Sequence, residues 1–195
     1  MIEVEKKFRL IPGDKERLIQ GAKPVKKVSL TETYYDTFDF LLTGKDCWLR
    51  TREGKWELKI PLSNEGKGTR TSDRYEEVTS EDQIKKELGL RGKSLADSLR
   101  KAGFKPFATI VTQREKYEKD GFILDFDQTD FGYSIFEVEL LVEREDEMDD
   151  AERRILEFAL RHGIATTNSP HGKIIEYIFR RRPVHYALLV KNGVV

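Results

Sequence analysis

A chain that alternates aliphatic and charged residues in stretch after stretch must bury one face of each stretch and find a use for the other. Residues 2–8, Ile-Glu-Val-Glu-Lys-Lys-Phe, set the pattern. Read as a strand, they put Ile2, Val4 and Phe8 on one side and Glu3, Glu5 and Lys7 on the other, with Lys6 falling among the apolar set. The habit returns at Arg50/Arg52, Glu57/Lys59, Asp125/Asp127 and Glu137/Glu139. A half-solvated antiparallel sheet also alternates in this way. Two details argue for more than solvation. These polar faces hold almost no Thr, Ser or Gln, and their charges are largely sorted into carboxylate pairs and cation pairs.

Carboxylates two residues apart on a strand repel one another unless a cation sits between them. Three such pairs, Glu3/Glu5, Asp125/Asp127 and Glu137/Glu139, make an oxygen-rich set suited to Mg²⁺ or Mn²⁺. Arg50 and Arg52, with Lys59, supply forked and point charges of the kind that hold phosphate oxygens. A sheet carrying charge on its concave face and aliphatics on its outer face can close into a barrel with a polar lumen and helices outside. The alternation suggests this, although closure itself is not visible in sequence.

The remaining stretches supply strands and covering helices. Val28–Asp36, Cys47 to Glu53, Trp56–Ile60, Arg74–Thr79, Ala108–Glu118, Phe122–Asp127 and Ile135–Val142 read as strands, with Gly54 and Asp120-Gly121 as hairpin turns. Short helices are expected from a cap at Asp14, from a capping box at Ser80-Glu81-Asp82-Gln83, and from Ser94. A longer helix runs from an Asp149 or Asp150 cap to His162, buried through Ile155, Leu156, Ala159 and Leu160. Ser169-Pro170 reads as N-cap and N1 of a further helix, which Pro183 ends, and a last one covers His185–Val190. Residues 61–73 read as a loop flanked by Arg70 and Arg74.

The balance of 35 basic and 35 acidic residues argues against a nucleic-acid partner. The single Cys47 excludes an internal disulfide framework and points to a reducing compartment. There is no apolar run of membrane-spanning length and no basic-then-apolar leader, so a cytoplasmic protein without a membrane partner is expected. Trp56 has the parity of the core, as has Cys47. His162, His171 and His185 lack metal-ligand spacing and receive no role.

These residues resemble the CYTH superfamily of triphosphate tunnel enzymes, and within it the animal thiamine triphosphatase branch. Glu3-x-Glu5-x-Lys7 is the superfamily's hallmark, and alone it is weak. It is joined in order by Thr33-Tyr34-Tyr35-Asp36-Thr37, Trp48-Leu49-Arg50-x-Arg52, Trp56-Glu57-Leu58-Lys59, Asp125-x-Asp127, Phe131-Gly132, Glu137-Val138-Glu139 and Lys173, spanning residue 2 to about 183. The resemblance implies an α+β fold, an eight-stranded antiparallel barrel with a charged lumen and helices outside, as one domain over residues 1–195. It implies that Asp125, Glu137 and Glu139 hold Mg²⁺ (or Mn²⁺), with Glu3, Glu5, Glu77 and Asp127 completing the acidic side. It assigns Lys7, Arg50, Arg52, Lys59, Arg114 and Lys173 to phosphate oxygens, Tyr34 with Lys59 to activating water, and Trp48 to the thiazolium. Independently, Trp48 shares parity with Arg50 and Arg52, and a cation over its ring gains roughly 0.5–2 kcal/mol.

The leading expectation is a monomeric, Mg²⁺-dependent phosphohydrolase acting on a small-molecule triphosphate, thiamine triphosphate. Alternatives are a tripolyphosphatase on the same fold, an adenylyl cyclase, and a non-catalytic polyphosphate-binding module.

Overall fold

The computed structural model describes residues 2–62, 73–167 and 170–195. Its strands are β1 (Ile2–Phe8), β2 (Lys23–Asp36), β3 (Trp48–Arg52), β4 (Lys55–Pro61), β5 (Asp73–Val78), β6 (Lys105–Lys119), β7 (Phe122–Thr129) and β8 (Ser134–Val142). They close into a barrel in the order β1-β5-β4-β3-β2-β6-β7-β8. The helices are α1 (Asp14–Ile19), α2 (Glu81–Glu87), α3 (Leu95–Lys101), α4 (Met148–Arg161), α5 (Lys173–Arg181) and α6 (Pro183–Lys191). The expected eight-stranded antiparallel barrel is therefore the fold.

The chain forms two compact units. One gathers β1, α1, the start of β2, the second half of β6, β7, β8 and α4. Here α4 lies on β1 and β8 and covers their aliphatic face. Val4, Leu124 and Val138 are fully buried, as are Ile155 and Phe158 of α4. Lys6, on this apolar side, reaches Glu152 of α4 at 3.1 Å, so its charge is buried with a partner. The turn into β7 carries positive φ at both Asp120 and Gly121, which matches the twist of a two-residue hairpin.

The second unit gathers the rest of β2, β3, β4, most of β5, α2, α3 and α6. Leu49, Leu58 and Val78 pack with Ile84, Leu95, Leu99 and Phe104 in one core, which Cys47 and Trp56 join from its edge. Trp56 lies against Tyr35, with ring centroids 4.8 Å apart. The connection from β2 to β3 is built on Asp36. Its carboxylate accepts the backbone N–H groups of Thr37, Leu42 and Thr43 at 2.8–3.0 Å and the Thr43 hydroxyl at 2.6 Å. That hydroxyl also meets Nε2 of His185 on α6 at 2.8 Å. His185 is stacked on Phe40 at 3.9 Å.

Several expected boundaries shift. Strand β2 begins at Lys23 because its first residues are exposed on both faces, so no alternation marks them. Helix α1 is capped by Gly13 rather than Asp14, whose carboxylate instead accepts the Ile11 N–H at 2.9 Å and pairs with Arg17. Helix α4 starts at Met148, so Asp149 and Asp150 sit in its first turn, where their charge favours the dipole without capping. Its buried stripe includes Phe158, whereas Leu160 is 61% exposed. Helix α5 starts at Lys173, which leaves Pro170 outside it. Ser169, Arg70 and the Arg74 side chain lie outside the described residues. Ser80 and Ser94 cap α2 and α3 as expected.

The Thr43 hydroxyl donates to Asp36, so it accepts from His185, which must hold its proton on Nε2 and leave Nδ1 buried without a hydrogen-bond partner among the described residues. Burial lowers the pKa of His185 to about 4, against the opposing pull of Asp36. Unfolding exposes an ordinary imidazole, which binds its proton near pH 6.5. The unfolded chain thus holds more protons between these values, and stability should fall as pH drops from about 6.5 to about 4. Denaturant titrations across that range should show the loss, on the order of 2 kcal/mol. A His185→Gln variant, which keeps a donor for Thr43, should show a flatter profile.

Candidate active site: two sorted charge faces

In the first unit the face away from α4 carries charge. Cross-strand register sets Lys116, Asp125, Glu137 and Lys7 side by side across β6, β7, β8 and β1. Carboxylates occupy the middle and ammonium groups the ends. Arg114, opposite Asp127, binds both carboxylate oxygens of Asp127 at 2.6 Å. It also reaches Glu137 at 2.9 Å and Asp125. Lys116 pairs with Asp125 at 2.9 Å and Glu139 at 3.4 Å. Lys173, at the start of α5, pairs with Asp127 at 2.6 Å, and Lys7 pairs with Glu5. Gly172 lies close against Lys7, where an added Cβ would meet the lysine Cε at 3.3 Å.

The electrostatics follow from this crowding. Burial alone would raise the Asp127 pKa, but Arg114 and Lys173 outweigh it and hold the pKa low. Glu137 goes the other way, because burial and the charge of Glu5 raise it more than Arg114, Lys7 and Lys173 lower it. Burial opposes the charge of Arg114 as well, yet Asp127, Glu137 and Asp125 keep it firmly protonated.

In the second unit the face away from the Leu49 core runs Tyr34–Arg50–Glu57 in one row and Trp48–Lys59–Glu77 in the next. Arg50 is the hub. It donates to Glu57 and Glu32 at 2.7 Å each, and to Glu77 and the Tyr34 hydroxyl at 3.3 Å each. Burial works against its charge, but Tyr34, Glu32 and Glu57 raise its pKa. Arg52 shares Glu32 at 3.0 Å. Lys59 pairs with Glu77 at 3.7 Å and lies 5.9 Å from the Tyr75 ring centre. The buried Trp48 donates its indole N–H to Asp46 at 3.0 Å.

The expected residues thus fall into two groups. Glu3, Glu5, Lys7, Arg114, Asp125, Asp127, Glu137, Glu139 and Lys173 belong to the first unit, and Tyr34, Trp48, Arg50, Arg52, Lys59 and Glu77 to the second. Glu3 stands opposite Leu141, at the end of its face. Sequence reading missed Lys116, Glu32 and Asp46. Lys116 and Glu32 share strand parity with Arg114 and Tyr34 and were legible on that ground. Asp46 lies outside any strand and gave no such signal.

A divalent cation suits the first face in kind. Glu5 and Glu139 stand directly opposite one another, an arrangement that is unfavourable without a cation. The Asp125 Oδ1 atom is buried and makes no hydrogen bond among the described residues. These are hard oxygen donors, the kind Mg²⁺ and Mn²⁺ prefer. Among the described residues no three acidic, histidine or cysteine side chains converge on one point, since Arg114 and Lys116 draw the carboxylates to themselves. A metal would have to win those carboxylates from Arg114.

Residues 1–171 match the CYTH domain family. The chain belongs to the CYTH family. Thiamine-triphosphatase of Homo sapiens is 34% identical to this CYTH chain, the match covering 98% of the chain and 90% of that protein. A protein of Pyrococcus horikoshii OT3 shares the fold with a TM-score of 0.64 at 22% identity, covering 92% of this chain and 99% of that one. A putative adenylyl cyclase from Hippeastrum, described as having a dominant triphosphatase activity, matches with a TM-score of 0.58 at 19% identity over 92% and 94% of the two chains. Identities this low speak for the CYTH fold alone.

Replacing Arg114 with Met would leave three buried carboxylates without their shared cation. The expected cost at neutral pH is about 3–5 kcal/mol. Protonation relieves the exposed repulsion, so the deficit should shrink as pH falls through the carboxylate range. Urea unfolding of both proteins at several pH values measures this.

Proposed function

We propose that this chain hydrolyses thiamine triphosphate to thiamine diphosphate and phosphate. The observation that carries the reading is the second face, where an aromatic ring, Trp48, stands directly across from Lys59 and two residues from Arg50. A cation-accepting ring beside phosphate-binding cations is the chemistry a cationic heterocycle with a triphosphate tail requires. The 34% identity to a thiamine-triphosphatase supports the same substrate.

In this reading Lys7, Arg50, Arg52, Lys59, Arg114 and Lys173 take the phosphoryl oxygens. Each gives up a carboxylate partner in exchange for a phosphoryl oxygen, so little new charge is desolvated. Asp125, Glu137 and Glu139 would hold Mg²⁺, with Glu3, Glu5, Glu77 and Asp127 completing the acidic set. A bound divalent ion would neutralise phosphoryl charge and stabilise the leaving diphosphate. Lys59, when unprotonated, accepts the proton of the attacking water, and the ammonium so formed takes a phosphoryl oxygen. Tyr34, already accepting a hydrogen bond from Arg50, keeps its own proton to donate toward that water. All of residues 1–195 work as one domain.

We place the enzyme in the cytoplasm as a monomer without a nucleic-acid partner. The balanced charge and single cysteine support this, and no helix among the described residues is long and apolar enough to cross a membrane.

Phosphate release from thiamine triphosphate and from tripolyphosphate, measured for the unsubstituted protein and for Trp48→Ala, tests the substrate. Loss of the ring should lower kcat/KM for thiamine triphosphate by about tenfold, within the range of a desolvated cation–π contact, and should spare tripolyphosphate. A strong preference for tripolyphosphate, with no effect of Trp48→Ala on thiamine triphosphate, would overturn the reading in favour of an inorganic triphosphatase.

A further inference from the structure

We infer that Asp46 is a positioning residue that sets the Trp48 ring for the organic end of the substrate; this rests on the thiamine triphosphate reading above. A single carboxylate oxygen, Asp46 Oδ1, accepts two hydrogen bonds, one from the Trp48 indole N–H at 3.0 Å and one from the Tyr75 hydroxyl at 2.8 Å. An indole side chain has two rotatable torsions, and a fixed acceptor for its N–H settles both. The shared oxygen ties β3 to β5 across the intervening β4, because Trp48 opens β3 and Tyr75 lies in β5.

The anchor is itself held firmly. Asp46 is 7% exposed and adopts the left-handed conformation (φ 62°), which Asp tolerates better than most residues. Its backbone N–H donates to the Thr43 carbonyl at 3.0 Å. Thr43 is fixed in turn by Asp36 and by His185 of α6. Asn192, just past α6, donates to the Gly44 carbonyl at 2.8 Å, and a Cβ at Gly44 would lie 3.0 Å from Asn192 Nδ2 and 3.2 Å from Leu188 Cδ2, a tight fit. Helix α6 therefore clamps the turn that delivers Asp46.

The carboxylate does more than hold the ring still. An indole whose N–H is bonded to an anion carries more negative potential on its faces, and a cation over the ring gains from that. Lys59, across from Trp48, marks where the phosphate chain meets the ring. Asp46 thus separates two tasks. Arginine and lysine side chains grip the triphosphate, and Asp46 acts through Trp48 on the organic cation alone.

The test compares Asp46→Ala and Asp46→Asn with the unsubstituted enzyme on thiamine triphosphate and tripolyphosphate. It is joined by the fluorescence of Trp48 in a Trp56→Phe background. Asp46→Ala should raise KM for thiamine triphosphate about fivefold to tenfold, in line with a weakened cation–π contact. Its kcat should hold, and tripolyphosphate kinetics should not change. Trp48 emission should shift and its anisotropy should fall. Asp46→Asn keeps an acceptor oxygen and tolerates the left-handed turn, so it should restore the anisotropy and most of the KM. Unchanged Trp48 fluorescence in Asp46→Ala, or equal losses on both substrates, would overturn the inference. Altered fluorescence in an enzyme that prefers tripolyphosphate even when unsubstituted would overturn the thiamine reading and the selective role together, leaving Asp46 as the anchor of Trp48 only.

Discussion

Charge placed on a buried face must be neutralised on that face. Desolvating an ion costs several kcal/mol, and the cost is recovered only when an opposite charge with good geometry stands beside it. Arg114 meets this demand in one unit by binding Asp125, Asp127 and Glu137, and Arg50 meets it in the other through Glu32, Glu57 and Glu77. Each arginine serves as a hub for three carboxylates. The aliphatic faces of β1 and β8 then close on α4 in one unit, and those of β3, β4 and β5 on α2 and α3 in the other. The apolar core and the paired charges thus occupy opposite faces of the same strands. A residue such as Leu58 can be tuned for packing without touching Glu57 or Lys59.

The pairing also explains how the faces could serve a triphosphate. An isolated cluster of cations would be unstable in the folded chain. Cations already paired with carboxylates are stable, and in the proposed reading they would exchange one anion for another when a polyanion arrives. The same carboxylates, once released, are the donors a divalent ion needs. The unequal shifts of Asp127 and Glu137 reflect burial set against different neighbours. Asp127 is committed to Arg114 and Lys173, whereas Glu137 stays strained by Glu5.

Much of this was legible in the sequence because strand parity is a strong constraint. Once Val4, Leu58, Leu124 and Val138 are assigned to the core, the facing set of charges follows without further information. Trp48 was placed correctly on the Arg50 side for that reason. Lys6 broke the alternation and could not be paired from sequence, since Glu152 lies 146 positions away on a helix. Asp46 was invisible for a different reason. It accepts hydrogen bonds from a turn outside any strand, and such positions carry no periodicity. The helix start at Met148 was displaced because Asp149 and Asp150 lie in its first turn rather than at its cap, and the start at Lys173 leaves Pro170 outside the helix. The sorting of the faces into two units came only with the structure.

The central claim is that carboxylates in the Glu5, Asp125, Glu137 and Glu139 group and the surrounding cations together bind a triphosphate with a divalent metal. Phosphate release from thiamine triphosphate, followed as Mg²⁺ is titrated into chelator-stripped protein, tests it most directly when Glu139→Gln is run in parallel. The account predicts no turnover without the metal, recovery on its addition, and a higher Mg²⁺ concentration for half-recovery in Glu139→Gln. Turnover that persists in the stripped protein, or an identical Mg²⁺ requirement in both proteins, would contradict it.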